Sequence, residues 1–370
     1  MPYRGRAYCH PGRAGATRQR PGRPEAALPD RHLFVTGTEA TDLAADSHQA
    51  SLRYRVLLPG RALRAAGHAV ALWTVAGPLD AAAIAAGDRV TVVQLKADSK
   101  RDPARVQRFR AVLAAARERA GCLRFDVSNY TKNFDALDRE AVALADVVTV
   151  PSEGMRDVLV AALGPDVAAK AAVIEDAFEM PHGEARFAPL PNGVRALWFG
   201  FPSPEHVTAV VAAVRELEAA APVAVALHLV SAPGLDAHVA RAAGPLRRVR
   251  LSGTAWSVAA TAQALAACDL VLLPGAANPS ALAKSHNRLV ETLRAGRLAL
   301  CAPLPAYREL ADYCRIGGMA DGVAWAVAKQ DDVLARIRAG QDAVEARFAP
   351  AAVAARWAAL AARIAAIRPR

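Results

Sequence analysis

The polar side chains best suited to chemistry share one predicted helix, which spans Ser285–Ala295 with one lysine just before it. The members of this polar stripe, at the spacing of successive helical turns, are Lys284, Asn287 or Arg288, and Glu291. Such a stripe is usually a solvated helix face. Here, however, the two cations lie where the helix dipole disfavours them by up to about 1 kcal/mol each. The helix also follows a predicted buried strand, so its amino terminus is suited to an anion.

A lysine point charge and an arginine fork together match the oxygens of a diphosphate. We therefore assign Lys284 and Arg288 as the candidate catalytic cations. Glu291, one turn deeper, is a candidate acceptor for the hydroxyls of a ribose. From the spacing alone, this interpretation and the solvated face are equally supported.

Other kinds of chemistry have no matching motif. The chain contains no P-loop, no dinucleotide fingerprint, no hydrolase elbow and no zinc-ligand spacing. It also lacks the Asp-x-Asp pair that holds a metal against a diphosphate, so we expect neither a metal nor a cofactor. The five cysteines include no Cys-x-x-Cys pair, which favours the reducing cytoplasm over a disulfide framework.

The charge of the chain is unevenly distributed. The net charge is +11, of which +5 falls within residues 1–31, predicted to be a disordered basic tail. The mildly basic remainder suits an anionic small molecule or a membrane surface. We do not expect a nucleic-acid partner, because no basic aromatic patch is present.

The elements that must position these residues alternate between strands and helices. Predicted strands include 32–36, 123–127 and the buried run Val147–Val150, and Ser152 is predicted to cap a helix that ends at Leu163. The same alternation of strands and helices begins again with a predicted strand at 196–200, after a segment rich in proline. This pattern predicts an α/β protein with two doubly wound, Rossmann-like parallel-sheet domains facing across a cleft.

The predicted boundaries divide the chain into five parts. They are the tail (1–31), a first Rossmann-like domain (32–175), a linker (176–195), a second Rossmann-like domain (196–345) and a carboxyl-terminal helix bracing the two domains (346–370).

The segment from Lys284 onward resembles the donor-binding motif of GT-B glycosyltransferases, in the bacterial family-1/family-4-like group. The likeness rests on the run KSHNRLVE, then LRAG up to Gly296, then PLPAYREL, and it extends more loosely over 32–366. In such enzymes the cations hold the leaving nucleoside diphosphate, and the last acid of a Glu-x7-Glu motif binds ribose. Glu291 matches that acid, but position 283, where the first acid would lie, is Ala283.

The resemblance implies further donor-side residues. Ser285 and Asn287 lie within the motif, and Gly200 ends the first strand of the second domain, where a backbone turn approaches the phosphates. Trp256 precedes a helix at the expected position of the base, where it either stacks on the base or packs in the core.

Acceptor-side residues are expected in the first domain. The run of Ser51, Arg53 and Arg55 resembles the start of the first long helix of the family, and the two arginines are predicted to point to different sides of that helix. Lys132 follows a strand that is expected to end in the cleft. Asp126, in the same segment, is the candidate acidic catalytic group near the acceptor.

These observations predict a metal-independent enzyme that transfers a sugar from a nucleotide-diphosphate sugar to an acceptor hydroxyl. The resemblance favours a retaining mechanism, cell-envelope glycan synthesis, and a glycan or lipid-linked acceptor. The expected location is cytoplasmic, with contact to the inner membrane through the basic carboxyl-terminal helix as an alternative to packing of that helix. A nucleotide-sugar 2-epimerase of the same fold and a non-catalytic glycan-binding or scaffolding module remain alternatives.

Overall fold

A computed structural model describes residues 31–40, 42–45, 47–85, 87–128, 134–275 and 278–367, with side chains as far as Leu360. Within these ranges the chain forms two parallel sheets of six strands each, flanked by helices. The predicted α/β class with two doubly wound sheets is confirmed. No helix in the described part of the chain has the length and apolar character needed to cross a membrane.

The first sheet has the strand order β2-β1-β3-β4-β5-β6. Its strands are β1 (Arg31–Thr36), β2 (Ala69–Thr74), β3 (Arg89–Val93), β4 (Cys122–Asp126), β5 (Val147–Val150) and β6 (Ala171–Val173). The helices around it are α1 (Ala50–Leu52), α2 (Leu58–Ala65), α3 (Ala97–Lys100), α4 (Pro103–Arg119), α5 (Ala136–Leu144) and α6 (Glu153–Leu163). Short 3-10 turns lie at Ala81–Ala83 and Pro165–Val167.

The second sheet has the order β12-β11-β10-β7-β8-β9. Its strands are β7 (Gly193–Phe199), β8 (Ala224–Ser231), β9 (Val249–Ala255), β10 (Leu270–Leu273), β11 (Leu298–Cys301) and β12 (Arg315–Ile316). Its helices are α7 (Pro204–Ala220), α8 (Leu235–Ala243), α9 (Val258–Ala267), α10 (Pro279–Leu282), α11 (Asn287–Arg294), α12 (Pro305–Arg308), α13 (Met319–Ala328) and α14 (Gln330–Phe348).

Local sequence signals explain several element boundaries. Val147–Val150 is buried along its whole length, as expected for a strand covered by helices on both faces. The backbone N–H of Met155 donates to the hydroxyl of Ser152 at 3.1 Å, which caps α6 as predicted. The helix expected from Ser51 is interrupted, because Arg53–Leu57 form a π-helical turn between α1 and α2.

The chain passes between the two sheets twice. Residues 174–192 contain neither helix nor strand and lead from β6 to β7. At the other end, α14 buries Phe348 in the core of the second domain. The final helix, α15 (Pro350–Ile367), buries Trp357 against Phe34 of the first domain, with ring centroids 6.0 Å apart. The two domains are therefore joined by two chain crossings.

Candidate active site

The crevice between the domains lies where the strand order of each sheet reverses. This reversal falls between β1 and β3 in the first sheet and between β7 and β10 in the second. In parallel sheets, ligands bind outside the carboxyl ends of the strands at such switch points. The loops that begin at Gly37, Gln94, Gly200 and Pro274 are therefore the expected walls of a ligand site.

Two depressions lie at these loops. A small one on the first domain is lined by polar side chains, including Thr38, Gln49, Ser51 and Lys96. This location agrees with the acceptor-side assignment of Ser51, which stays a prediction. A groove of about 550 Å³ on the second domain runs between α7 and the loops after β10, β11 and β12.

The motif helix begins later than predicted. α11 starts at Asn287, and Lys284 and Ser285 lie in the turn that separates it from α10. Lys284 therefore lies outside α11, and the four polar residues do not share one helix face. Arg288 is the second residue of α11. The short helix α10 precedes this turn and is capped by Asn278, which accepts from the backbone N–H of Ala281 at 2.9 Å.

Arg288 lies against the loop after β7. A Cβ atom built on Gly200 would be 3.7 Å from its Nη1 atom, so the guanidinium and that loop are in contact. Gly200 has φ of +148°, a conformation that favours glycine. Nη1 of Arg288 is buried without a well-aligned acceptor among the described residues, although the Arg288 side chain also forms a hydrogen bond with Tyr307. A buried N–H group without a partner is costly, and an anionic ligand would satisfy it.

Lys284 and His206 share the electrostatic environment of Arg288. Lys284 is exposed to solvent, yet the surrounding protein lowers its pKa first by desolvation and then through the charge of Arg288. Burial, followed by the same charge, lowers the pKa of His206 to about 4, so this histidine is neutral at pH 7. Glu205 partly offsets these effects by raising both pKa values. The net result is a positively charged corner at the switch point of the second sheet.

Lys96 of the first domain also faces this corner, and sequence reasoning missed it. The pKa of Lys96 is lowered to about 8, first by burial and then by the charge of Lys284. The sequence feature that could have identified Lys96 was its position shortly after a strand of a parallel sheet, where the loops that follow neighbouring strands meet at one edge.

The turn carrying Lys284 is held against the first domain. Ala283 is buried with a relative exposure of 3% and belongs to the hydrophobic core of the first domain. A Cβ atom on Gly154 of α6 would be 2.2 Å from the carbonyl oxygen of Leu282. The structure therefore gives a reason for alanine at the position of the missing acid, because a carboxylate there would be placed in an apolar core.

Glu291 is buried and its carboxylate is occupied by hydrogen bonds within the protein, so the expected ribose contact stays a prediction. Its Oε1 atom accepts from the backbone N–H of Glu179 at 2.8 Å, and its Oε2 atom accepts from that of Met180 at 2.9 Å. The hydroxyl of Tyr54 lies 3.0 Å from Oε1. Burial raises the pKa of Glu291 to about 7, although these hydrogen bonds lower it. The carboxylate therefore joins α11 to the interdomain segment and to the first domain.

Asp126 is likewise not an acid facing the cleft, and that prediction is wrong. It is fully buried, and its carboxylate accepts from the guanidinium of Arg55 at 2.7 Å and from the hydroxyl of Thr149, also at 2.7 Å. Arg55 also contacts Asp176 at 3.0 Å. A hydrogen bond from Ser285 acts on Asp176 as well, but burial dominates and raises the pKa of this carboxyl. The network links the first domain to the turn beside Lys284.

The two acceptor-side arginines both point towards the interdomain segment, which corrects their predicted divergence. Arg53 pairs with Glu179 at 2.9 Å, while Arg55 reaches Asp176 in the same segment. Both belong to the π-helical turn, whose wider spacing changes the direction of successive side chains. Glu179 therefore neutralises Arg53, whereas Asp126 and Asp176 together neutralise Arg55.

The remaining predicted residues divide into three cases. Trp256 lies under the guanidinium of Arg53, 4.9 Å from ring centroid to Cζ, and its ring is 5.9 Å from that of His48. It thus bridges the domains while remaining half-exposed. Asn287 is half-buried at the start of α11. Lys132 lies outside the described residues.

Comparison with solved structures identifies the fold. Anabaena HepE in complex with UDP and glucose matches with a TM-score of 0.59 and 16% identity, over 90% of this chain and 99% of HepE. An E. coli trehalose-6-phosphate protein bound with UDP-2-fluoro glucose matches with a TM-score of 0.58 and 10% identity, over 92% and 100%. The lipopolysaccharide outer core galactosyltransferase WaaB, in its apo form, matches with a TM-score of 0.57 and 11% identity, over 89% and 98%.

No protein-family model matches the chain, and no curated protein matches it significantly. The structural matches cover nearly whole chains on both sides, and at these identities they establish the fold. It is the GT-B fold expected from the resemblance.

Proposed function

We propose that this chain of the GT-B fold is a glycosyltransferase that transfers a sugar from a nucleoside-diphosphate sugar to an acceptor hydroxyl. The carrying observation is the pair of cations, Lys284 and Arg288, in the crevice at the switch point of the second sheet. The proposal is supported by solved structures of the same fold that contain UDP-glucose or UDP with glucose.

The difficult step in such a reaction is departure of the diphosphate, which gains negative charge as the sugar bond breaks. Cations held in place before the reaction stabilise that charge, and one preorganised donor contributes about 3–4 kcal/mol in comparable sites. Nη1 of Arg288 is such a donor, since the fold holds it in a buried position. We therefore propose that these side chains act on the leaving group without a metal.

We propose a retaining outcome, on the strength of the motif resemblance. Asp126 is excluded as the acceptor base because both its burial and its pairing with Arg55 keep it from the crevice. Analysis of the product anomer by NMR tests this point: inversion at the anomeric carbon would overturn it.

We further propose a cytoplasmic enzyme of cell-envelope glycan synthesis with a glycan or lipid-linked acceptor. WaaB, a galactosyltransferase of the lipopolysaccharide outer core, has the same fold and supports this role. Membrane contact through α15 is less favoured than packing, because Arg356 lies 3.3 Å from Glu175 and Trp357 is fully buried.

The test removes each cation in turn. Lys284→Ala and Arg288→Ala are assayed for release of nucleoside diphosphate from a panel of UDP, GDP, ADP and dTDP sugars with glycan acceptors. We expect turnover to fall by about 10²–10³ for each variant, the usual effect of removing one such donor. Arg250→Ala is the matched control, because it removes an equal charge from an exposed position on β9.

Two results would overturn the proposal. One is wild-type turnover and nucleotide affinity in both variants while the protein remains folded. The other is conversion of the donor to its epimer without an acceptor, which would reassign the chain to a nucleotide-sugar 2-epimerase. Failure of the wild-type protein to bind any of the nucleotide sugars would favour a non-catalytic module.

A further inference from the structure

Lys96 stands apart from the other lysines of the first domain that the structure describes. Lys100, four residues later, pairs with Asp135 at 2.7 Å and with Asp138 at 2.8 Å. Lys170 reaches backbone carbonyl oxygens, including that of Val142. Lys96, in contrast, forms no ion pair with any carboxylate in the described part of the chain, although it is half-buried. A buried cation without a counter-ion is unfavourable unless a ligand supplies the negative charge.

The position of Lys96 explains which ligand could supply that charge. Lys96 follows β3 at the switch point of the first sheet and lines the small polar depression described above. Across the crevice, Ala283 anchors the neighbouring turn in the core of the first domain. Lys284 is therefore held at the domain boundary, close enough for its charge to act on Lys96.

Three cations from two domains thus converge on one space. Lys96 comes from the first domain, and Lys284 and Arg288 come from the second, where the charge of Arg288 also acts on Lys284. Mutual repulsion of this kind disfavours close approach of the domains in the free protein. An anion bearing several negative charges would reverse the sign of that interaction and draw both sides together.

We propose that Lys96 binds the same diphosphate as Lys284 and Arg288, so that the donor's leaving group bridges the two domains. This inference rests on the proposed function and adds a third, first-domain residue to the binding site. It also implies that occupancy by the diphosphate favours closure of the crevice, because the bridging anion contacts both domains. Closure would exclude water from the reaction.

The experiment compares Lys96→Met with Arg101→Met. Methionine keeps much of the apolar stem of Lys96 while removing its charge. Arg101, at the end of α3, is the matched control, since its side chain is 81% exposed and its contact with Asp98 is a surface pair at 3.5 Å. The two probes are inorganic pyrophosphate and UDP, and calorimetry measures the affinity for each. Pyrophosphate makes the test independent of the nucleobase.

We expect Lys96→Met to weaken pyrophosphate and UDP binding at least tenfold and Arg101→Met to change it less than twofold. The ligand-free Lys96→Met protein should melt at the same temperature as wild type or higher, because repulsion and an uncompensated charge are removed. A lysine with a purely structural role would give a lower melting temperature. In small-angle scattering, pyrophosphate should reduce the radius of gyration of wild type but not that of Lys96→Met.

A Lys284→Met variant separates the two proposals. If it loses pyrophosphate affinity while Lys96→Met keeps wild-type affinity, the role of Lys96 is refuted and the proposed function stands. If neither variant loses affinity, the cation site itself is wrong and both proposals fail. Weaker binding in Lys96→Met without a difference in compaction would refute the bridging of domains.

Discussion

Glu291→Gln offers the sharpest test of the site's electrostatics. In the folded protein burial raises the pKa of Glu291 to about 7, from an ordinary value of 4.5. Between these two pH values the folded protein keeps a proton that the unfolded chain has released. The free energy of unfolding therefore falls as the pH rises from about 4.5 to about 7, and remains lower above it.

The size of the effect follows from the pKa difference. A change from 4.5 to about 7 corresponds to about 3 kcal/mol of stability. Glutamine is neutral throughout, so Glu291→Gln lacks this pH dependence, but its amide nitrogen cannot accept one of the two backbone N–H groups that the carboxylate binds. We expect the stability of the variant relative to wild type to rise by about 3 kcal/mol between pH 4.5 and pH 7.5, on top of a pH-independent loss from the missing acceptor.

Urea unfolding at pH 4.5, 5.5, 6.5 and 7.5 measures this difference directly, because groups common to both proteins cancel. Glu309→Gln is a control of opposite sign. His286 and Arg347 lower the pKa of Glu309 to about 2, so that variant should be less stable than wild type at neutral pH, with the gap closing as the pH falls below about 4.5. A stability of Glu291→Gln relative to wild type that does not change with pH, or that falls as the pH rises, would refute the reasoning.

Two further predictions concern the junction between the domains. Arg55→Met leaves Asp126 and Asp176 buried without their cation, and should lower the free energy of unfolding by about 3–5 kcal/mol. Adding Asp126→Asn and Asp176→Asn to this variant should recover much of that loss, as measured by urea unfolding. If the effects of the three substitutions are simply additive, the network is contradicted. Gly154→Ala would place a Cβ atom 2.2 Å from the carbonyl oxygen of Leu282, so α10 must move away from α6, and we expect turnover to fall by about 10²-fold. Gly77→Ala is the control and should behave as wild type, because a Cβ atom there would meet nothing within 4 Å. Equal turnover in the two glycine variants would show that turnover does not require the close approach of α10 to α6.

Local patterns in the sequence were sufficient to identify the α/β architecture. Continuous apolar runs such as Val147–Val150 predict buried strands because their burial depends on helices packed on both faces. Ser152 predicts a helix start because its hydroxyl needs only the N–H of Met155, three residues away. The motif with Lys284 and Arg288 was also recognisable, since its residues are contiguous in the chain.

Contacts between distant parts of the chain were decided by the tertiary structure. Asp126 faces Arg55 across 71 positions, and Glu291 reaches the backbone of Glu179 across 112. The sequence placed Glu291 on a polar helix face and Asp126 in a segment where a strand ends, but it did not show which groups would contact either carboxylate.

The sequence by itself thus determined the alternation of strands and helices and the cationic motif, because hydrogen bonding and apolar periodicity act over a few residues. The tertiary structure alone decided that Glu291 joins the interdomain segment, that Asp126 is buried, and that Lys96 faces Lys284. The physical reason is that burial and charge interactions depend on distance in space, and two chain crossings bring these groups together.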